Sequence, residues 1–509
     1  MEITQAAIAA RHYREHLLKD DYRPVYHFAV PEGLGFPGDT NGAFFADGVY
    51  HVMYLYRNCD TNAYHWYHVT STDLLHWRYH ADALGTHEGD EGCYSGGAFV
   101  DEDGTAYLSF WKFPAKKEGG DKGGVALARA DAPYEVWERI EPIAIEGTEW
   151  GVKELTVNGQ PTLVGCADPS NIWKMGEWYY LQTGNLCILL KDQREGENNP
   201  HHQGDWTDLF RSKDLKTWEY VHRFYENPHT DNTWPDKTED DMCPSFLPLF
   251  DAKQKGAPTN KWLQLFIAHN RGCQYYIGEL QGETFVPEQH GRMSWNDNAF
   301  FAPEALIDDQ NRHIVFTWLR DCVIDDFGWT DYNRFGWTGS FALPRTVWLQ
   351  DGGLRIAPVD EIDRLQYNHQ TPTIADDGQI PVKNGEVFRL KATFDLTKND
   401  KAGVRVRADE HGFVDIYYDK AQKRLVFDTT HPIAEKGSQT EEAPLCLGED
   451  ELLSLDIFVD KSIIEVFANE KQAICRHVYP AHPTTATAVA VIGQMQTLDV
   501  WDMAPTNPY

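Results

Sequence analysis

The sequence predicts an all-β protein with a five-bladed β-propeller, a C-terminal β-sandwich and a short N-terminal helix. The first observation is an internal repeat, in which an apolar strand led by Gly or Pro, an acidic or glycine turn and an aromatic-rich strand recur. The second is the aromatic content of 13%, which is typical of sheets. The third is a change of pattern near residue 380, after which short strands alternate with turns.

The repeat begins five times, at Gly42, Gly96, Pro169, Pro244 and Pro303. A unit of this length can hold about four strands, which is the content of a propeller blade. Because the first strand of each blade lines the central axis, the residues just before these strands are expected to converge at one mouth. A single large irregular β-sandwich is the alternative fold.

The same patterns divide the chain into four segments. Residues 1–22 are predicted to form a helical segment that packs through the apolar positions Ala10, Tyr13, Leu17 and Leu18. Residues 23–345 are predicted to form the propeller, 346–380 a turn-rich linker and 381–509 the sandwich. The sandwich is expected to be structural or to form an interface in a homo-oligomer.

Charge and cysteine usage argue against several classes of partner. The chain has 46 Lys and Arg against 78 Asp and Glu, and the resulting net charge of −32 disfavours nucleic acid and anionic membranes. It has no apolar run of the roughly 18 residues that a membrane span needs, and its N-terminus is too charged for a secretory signal. The nine Cys are scattered without a CxxC pair. We therefore expect a reduced, cytoplasmic protein that handles small neutral molecules without a metal or cofactor.

Acidic residues stand at the predicted inner strands of four repeats, as Asp39, Asp168, Asp241 and Glu304, whereas the second repeat has Tyr94-Ser95-Gly96. Carboxylates that meet at one mouth repel each other, so some are expected to have raised pKa values. Glycoside hydrolysis needs one carboxylic acid to protonate the leaving oxygen and one carboxylate to attack or activate water. The alternative interpretation is that these acids only close turns through local backbone hydrogen bonds.

These motifs resemble glycoside hydrolase family 32, the invertase and fructan-hydrolase group, over nearly the whole chain. The motifs that carry the resemblance are Gly38-Asp39-Thr40-Asn41-Gly42, Tyr94-Ser95-Gly96, Asp168-Pro169, Phe300-Phe301-Ala302-Pro303 and, in the sandwich, the segment from Leu455 to Asn469. The resemblance implies a five-bladed propeller followed by a sandwich.

The resemblance also implies roles for individual residues. Asp39 stands at the family's nucleophile position, and Asp168 at the position that stabilises the transition state by binding ring hydroxyls. Sugar contacts are implied for the neighbouring positions Asn41, Trp66, Tyr94 and Ser95.

The sequence departs from the family pattern at the acid/base position. The family's acid/base Glu directly precedes Cys-Pro, and Met242 stands there in this chain. A thioether cannot donate a proton. The role would pass to Asp241, which needs a bulge to turn its side chain inward, or to Glu304, or to neither, with Asp240 and Glu239 as lesser candidates.

Three functions follow from these residues. The first is a glycosidase that cleaves short furanosides, most simply β-fructofuranosides, with retention of configuration. The second is the same fold acting on another furanoside, such as an arabinofuranoside, or transferring the sugar to an acceptor. The third is a catalytically inactive sugar-binding protein, which Met242 in the acid/base position favours.

Overall fold

The computed structural model describes most of the chain. The described residues are 19–29, 35–58, 63–86, 90–114, 123–147, 151–186, 205–226, 240–269, 271–321, 339–431 and 438–506, together with Gln5, Ile8, His12, Glu15 and Leu17. These isolated N-terminal positions are helical, and Leu17 is buried. The apolar positions Ala10, Tyr13 and Leu18 lie outside the described residues, as does Glu239. Within the described part, no helix is long and apolar enough to cross a bilayer.

The first two repeats share one nine-stranded sheet, ordered β1-β2-β3-β5-β7-β8-β9 with β4 on β3 and β6 on β7. The strands are β1 Gly35–Ala46, β2 Val49–Asn58, β3 Tyr64–Ser71, β4 Arg78–Tyr79, β5 Asp90–Tyr94, β6 Ala98–Val100, β7 Ala106–Pro114, β8 Gly124–Ala130 and β9 Glu138–Glu146. Strand β5 joins the two repeats, because it pairs with β3 on one side and with β7 on the other.

The next repeats each have a sheet of their own, after a hairpin of β10 and β11. The first group of strands is β10 Val152–Val157, β11 Gln160–Gly165, β12 Trp173–Met175, β13 Trp178–Thr183, β14 Trp206–Ser212 and β15 Trp218–Glu226. The second group is β16 Met242–Phe250, β17 Pro258–Ala268, β18 Gly272–Gln281 and β19 Thr284–Arg292. The third is β20 Phe300–Ile307, β21 His313–Leu319, β22 Ser340–Phe341, β23 Arg345–Gln350 and β24 Gly353–Pro358. The protein is nearly all-β, as predicted, and the count of five blades stays a prediction.

The inner strands β1, β16 and β20 share an irregular start. The pairing register of each shifts there, for instance between Met242 and Ser245 in β16 and between Phe301 and Glu304 in β20. Positive φ angles mark these three strand starts, with 52° at Gly42, 49° at Cys243 and 47° at Ala302, and Asp168, which precedes β12, has a φ of 41°. A bulge of this kind bends the strand and re-aims individual side chains. The direction of each acid at the mouth therefore depends on the bulge and not on strand alternation.

The last sheet of the propeller extends to Pro358 and not to residue 345. Strands β23 and β24 form a hairpin in which Gln350 pairs with Gly353 across Asp351 and Gly352, whose φ angles are 53° and 75°. Asp-Gly with two positive φ angles is the preferred two-residue hairpin turn. The first part of the predicted linker is thus a pair of strands, and a 3-10 helix, Asp360–Leu365, follows it.

The C-terminal domain is a sandwich of two antiparallel sheets, ordered β25-β35-β26-β31-β32-β33 and β30-β29-β28-β27-β34. Its strands are β25 Gln366–Gln370, β26 Val387–Phe394, β27 Lys401–Ala408, β28 Val414–Asp419, β29 Arg424–Asp428, β30 Thr440–Pro444, β31 Leu453–Asp460, β32 Ile463–Ala468, β33 Gln472–His477, β34 Ala488–Ile492 and β35 Met495–Met503. Phe458 and Phe467 pack in one apolar cluster with Ile356 and Ile362 of the preceding segment. The two domains therefore share buried apolar surface.

Candidate active site

Three predicted site residues meet where the first two repeats join. Ser95 Oγ donates a short hydrogen bond to Asp39 Oδ2. The Asn41 amide bridges the same strands, because its Nδ2 donates to the Asp39 carbonyl at 3.1 Å and its Oδ1 accepts from Gly96 N at 3.1 Å. Asn41 is 1% exposed, so it fixes the backbone around Asp39 from inside the protein.

Asp168 and Asp39 both lie close to the thiol of Cys243. The Cys243 backbone N–H donates to Asp168 Oδ2 at 3.3 Å, and its Sγ lies 3.6 Å from the same oxygen. The same Sγ lies 3.7 Å from Asp39 Oδ2. Side chains from four repeats, those of Asp39, Ser95, Asp168 and Cys243, are therefore joined by direct contacts.

The surroundings raise the pKa of both carboxyls. Burial is the main cause for Asp39, and it is opposed by the Ser95 hydrogen bond and by the charge of His269. Burial and the neighbouring charge of Asp39 raise the pKa of Asp168 to about 7. Because two close carboxylates resist a second negative charge, the pair holds a proton more readily near neutral pH than isolated acids would.

His269, which is not among the residues predicted from the sequence, lies near this pair. His269 follows β17 and Asp240 precedes β16, so the pairing of Met242 with Ile267 sets the two residues opposite each other. His269 Nδ1 lies 2.8 Å from Asp240 Oδ2, and its backbone N–H donates to both carboxylate oxygens at 3.2 and 3.3 Å. The sequence signal for the contact between His269 and Asp240 is that a His directly follows Ala268, the last residue of β17.

Burial alone would lower the pKa of His269, but its neighbours reverse the effect. The charge and hydrogen bond of Asp240, with the charges of Asp168 and Asp39, raise this pKa above the ordinary value. In return the charge of His269 lowers the pKa of Asp39 and of Asp168. The charge of Arg320, whose guanidinium lies 5.8 Å from the Phe301 ring centroid, also lowers that of Asp39.

The other two predicted acids have different neighbours. Asp241 is completely buried and lies against Tyr225, whose ring contacts Tyr276 at 5.6 Å in the core between sheets. Glu304 is 3% exposed and accepts from the Ala43 backbone N–H, and burial raises its pKa well above the ordinary value. The structure thus places Asp241 and Glu304 against partners outside the Asp39 and Asp168 pair.

Comparison with known proteins identifies the family. The model of the N-terminal domain of glycosyl hydrolases family 32 matches residues 27–145 and 166–358, and the model of the C-terminal domain matches residues 360–502. The chain belongs to glycosyl hydrolase family 32. The resemblance carried by the sequence motifs is thereby confirmed.

Individual relatives agree in sequence and in fold. A levanase from Bacillus subtilis is 25% identical over 497 residues, which cover 91% of this chain and 67% of the levanase. A sucrose-6-phosphate hydrolase from Escherichia coli is 25% identical over 498 residues, which cover 94% of this chain and 93% of that enzyme. The structure of fructan 1-exohydrolase IIa from Cichorium intybus matches with a TM-score of 0.76 at 18% identity, covering 96% of this chain and 98% of that one. A propeller followed by a sandwich is the fold of these structural neighbours and of this chain.

The position that the motif resemblance assigns to the acid/base holds a buried thioether, Met242. Met242 is 2% exposed, and its Sδ packs so closely on Gly184 that a Cβ added there would lie 2.8 Å from the sulfur. Any larger side chain at position 184 would therefore collide with the side chain of Met242. This position supplies no proton to a substrate.

The two aromatic residues of the predicted site differ in burial, because Trp66 is completely buried and Tyr94 is half-buried. Trp66 is 0% exposed and its Nε1–H donates to the Tyr94 carbonyl at 3.1 Å, so its ring belongs to the core and offers no open face for stacking on sugar. The Tyr94 ring contacts those of Tyr64, Trp111 and Phe113 at 4.8, 5.1 and 5.1 Å. These three rings are half-buried, and Tyr64 interacts electrostatically with Asp39.

Proposed function

We propose that this protein is a glycosidase that cleaves β-fructofuranosides, with Asp39 as the nucleophile. The observation that carries the proposal is that two carboxyls, those of Asp39 and Asp168, both contact the thiol of Cys243. The names of the relatives support it, since a levanase and a sucrose-6-phosphate hydrolase match nearly the whole chain. The net charge of −32 supports short neutral substrates, and the nine scattered Cys support a reduced, cytoplasmic location.

The chemistry proceeds in two balanced steps. Asp39 attacks the anomeric carbon while the bond to the leaving oxygen breaks, and a general acid gives that oxygen its proton. Water then displaces Asp39 from the same carbon and returns a proton to the general acid. The Ser95 hydrogen bond favours the ionised, nucleophilic form of Asp39 against the effect of burial. Asp168 holds ring hydroxyls, which its carboxyl can do as donor or acceptor at a pKa of about 7.

A second function is favoured by Met242. A buried thioether at the acid/base position would suit a protein that binds furanosides without cleaving them. Turnover separates the two functions, because both predict binding.

The test is hydrolysis of a panel containing sucrose, 1-kestose and p-nitrophenyl furanosides of fructose and arabinose, with product analysis. We expect release of fructose, and loss of at least about 10³-fold in Asp39→Asn. Asp47→Asn is the matched control, because Asp47 is exposed in the turn after β1 and its φ of 52° suits Asn. Sucrose binding by calorimetry with no turnover of any panel member would establish the inactive sugar-binding protein, and near-native activity in Asp39→Asn would refute the nucleophile.

A further inference from the structure

We infer that His269, held by Asp240, protonates the leaving oxygen in place of the carboxylic acid that Met242 replaces. The inference rests on the proposed glycosidase function and adds the group that this function lacks. Cleavage of an unactivated glycoside needs a proton donor near the nucleophile. Asp241 and Glu304 are placed against Tyr225 and Ala43, so the sequence candidates leave this role open.

The Nδ1 atom of His269 is hydrogen-bonded to Asp240, which leaves Nε2 for exchange of a proton. Asp240 is 3% exposed, and its carboxylate receives the His269 Nδ1–H as well as the backbone N–H. Its backbone carbonyl is fixed in turn by Asn185 N at 2.8 Å. A carboxylate on Nδ1 sets the tautomer and the ring orientation, as in other acid/base histidines. Nε2 is left as the nitrogen that exchanges a proton with substrate.

His269 is partly exposed and packs against an aromatic ring. The His269 side chain is 28% exposed, and its ring meets that of Phe301 edge-on, with centroids 5.8 Å apart. Phe301 in turn lies against Trp318. An apolar backing and one open side let the imidazole reach solvent and substrate without rotating freely.

The charges around His269 suit a proton donor. The facing groups are the carboxyls of Asp240, Asp168 and Asp39, while the Arg320 charge acts on Asp39. Together the acids raise the pKa of His269. The imidazolium present near neutral pH passes its Nε2 proton to the leaving oxygen as the glycosidic bond breaks. The neutral imidazole then takes a proton from the water that displaces Asp39, which restores the starting state.

The experiment compares leaving groups. In His269→Gln, kcat/KM on sucrose should fall about 10²- to 10³-fold, whereas on p-nitrophenyl β-fructofuranoside, whose leaving oxygen needs little protonation, it should fall less than about 10-fold. Added imidazole should restore part of the sucrose activity. His290→Gln is the matched control, since His290 lies on β19 of the same sheet and contacts Gln274 at 2.6 Å.

Asp240→Asn supplies a second readout. Loss of the Asp240 charge lowers the pKa of His269, so the basic limb of kcat/KM should move to lower pH, with kcat reduced more than KM is changed. This variant decides the question if His269→Gln does not fold. Equal losses on both substrates in His269→Gln, or an unmoved basic limb in Asp240→Asn, would overturn the inference. A selective loss on sucrose in Asp168→Asn alone would assign the proton to Asp168. Wild-type protein that cleaves no furanoside would instead overturn the proposed function.

Discussion

Arg345 and Glu465 form a completely buried ion pair between β23 of the propeller and β32 of the sandwich, with the Arg345 Nη2 to Glu465 Oε2 distance at 2.9 Å. The other oxygen of Glu465 accepts from Leu343 N at 2.7 Å and lies 3.2 Å from His27 Nε2. Asp460, on the neighbouring strand, lies 2.9 Å from His27 Nδ1. Two carboxylates of the sandwich, those of Asp460 and Glu465, thus balance the charges of His27 and Arg345, which lie at the start and the end of the propeller.

Removing the charge of Glu465 should destabilise the protein strongly. Glu465→Gln leaves Arg345 buried without its carboxylate and leaves His27 with Asp460 alone, and loss of one partner of a buried pair typically costs about 3–5 kcal/mol. Urea unfolding followed by tryptophan fluorescence measures the change. Glu442→Gln is the control, because Glu442 is 41% exposed opposite Arg424 and should change the free energy by less than about 1 kcal/mol. Similar losses in both variants would contradict a special role for the junction.

His27 should make stability depend on alkaline pH. Burial lowers its pKa, but the hydrogen bonds and charges of Asp460 and Glu465 raise it to about 9. Since the folded value exceeds the unfolded value of about 6.5, the contribution of the imidazolium is complete below pH 6.5 and is lost as the pH rises through 9. The loss should be on the order of 3 kcal/mol. Unfolding free energies at pH 6.5 and 9.5 should differ more in wild type than in His27→Gln, with exposed His369→Gln as the control.

Ser95 should lower the pH at which activity is lost on the acidic side of the pH profile. Its hydrogen bond lowers the pKa of Asp39, so Ser95→Ala should raise that pKa and move the acidic limb of kcat/KM to higher pH. The loss should therefore be larger at pH 5 than at pH 8. Ser109→Ala is a control of matched burial, because Ser109 is 0% exposed and donates to the Ser170 carbonyl at 2.7 Å. An unmoved limb in Ser95→Ala would show that another group controls it.

A buried histidine pair should weaken the fold in acid. His51 Nδ1 and His68 Nε2 lie 3.0 Å apart, and burial, with the charges of neighbouring histidines, lowers their pKa values to about 4 and 3. Below pH 6.5 the unfolded chain takes up protons that the folded protein refuses, so stability falls as the pH drops.

The slope should be about 1.4 kcal/mol per pH unit for each such histidine between pH 6 and 4.5. His68→Gln should reduce the slope of the unfolding free energy against pH by the contribution of one histidine. His411→Gln should leave the slope unchanged, because the His411 side chain is 49% exposed. Unfolding curves measured at half-unit pH steps give the slopes. Identical slopes in wild type and His68→Gln would contradict the assignment.

The fold and half of the site could be predicted because their signals are local. Repeated strands, Gly and Pro at the inner starts, and motifs around Asp39 and Asp168 are all legible within short segments. The Asp351-Gly352 turn is an equally local signal. It indicates a hairpin of β23 and β24 where a linker was predicted. Asp241 and Glu304 were different, because a bulge at each inner strand decides which way a side chain points.

The sequence by itself determined the all-β architecture and the family, and it predicted Asp39 and Asp168 as site residues, since hydrophobic alternation, turn residues and short motifs act over a few positions. Only the tertiary structure decided which groups face those carboxyls. His269 lies opposite Asp240 because β16 and β17 pair in one register, and Trp66 offers no open face because packing buries it completely. Register, bulges and burial depend on contacts between distant segments, and these contacts set the pKa values on which the chemistry depends.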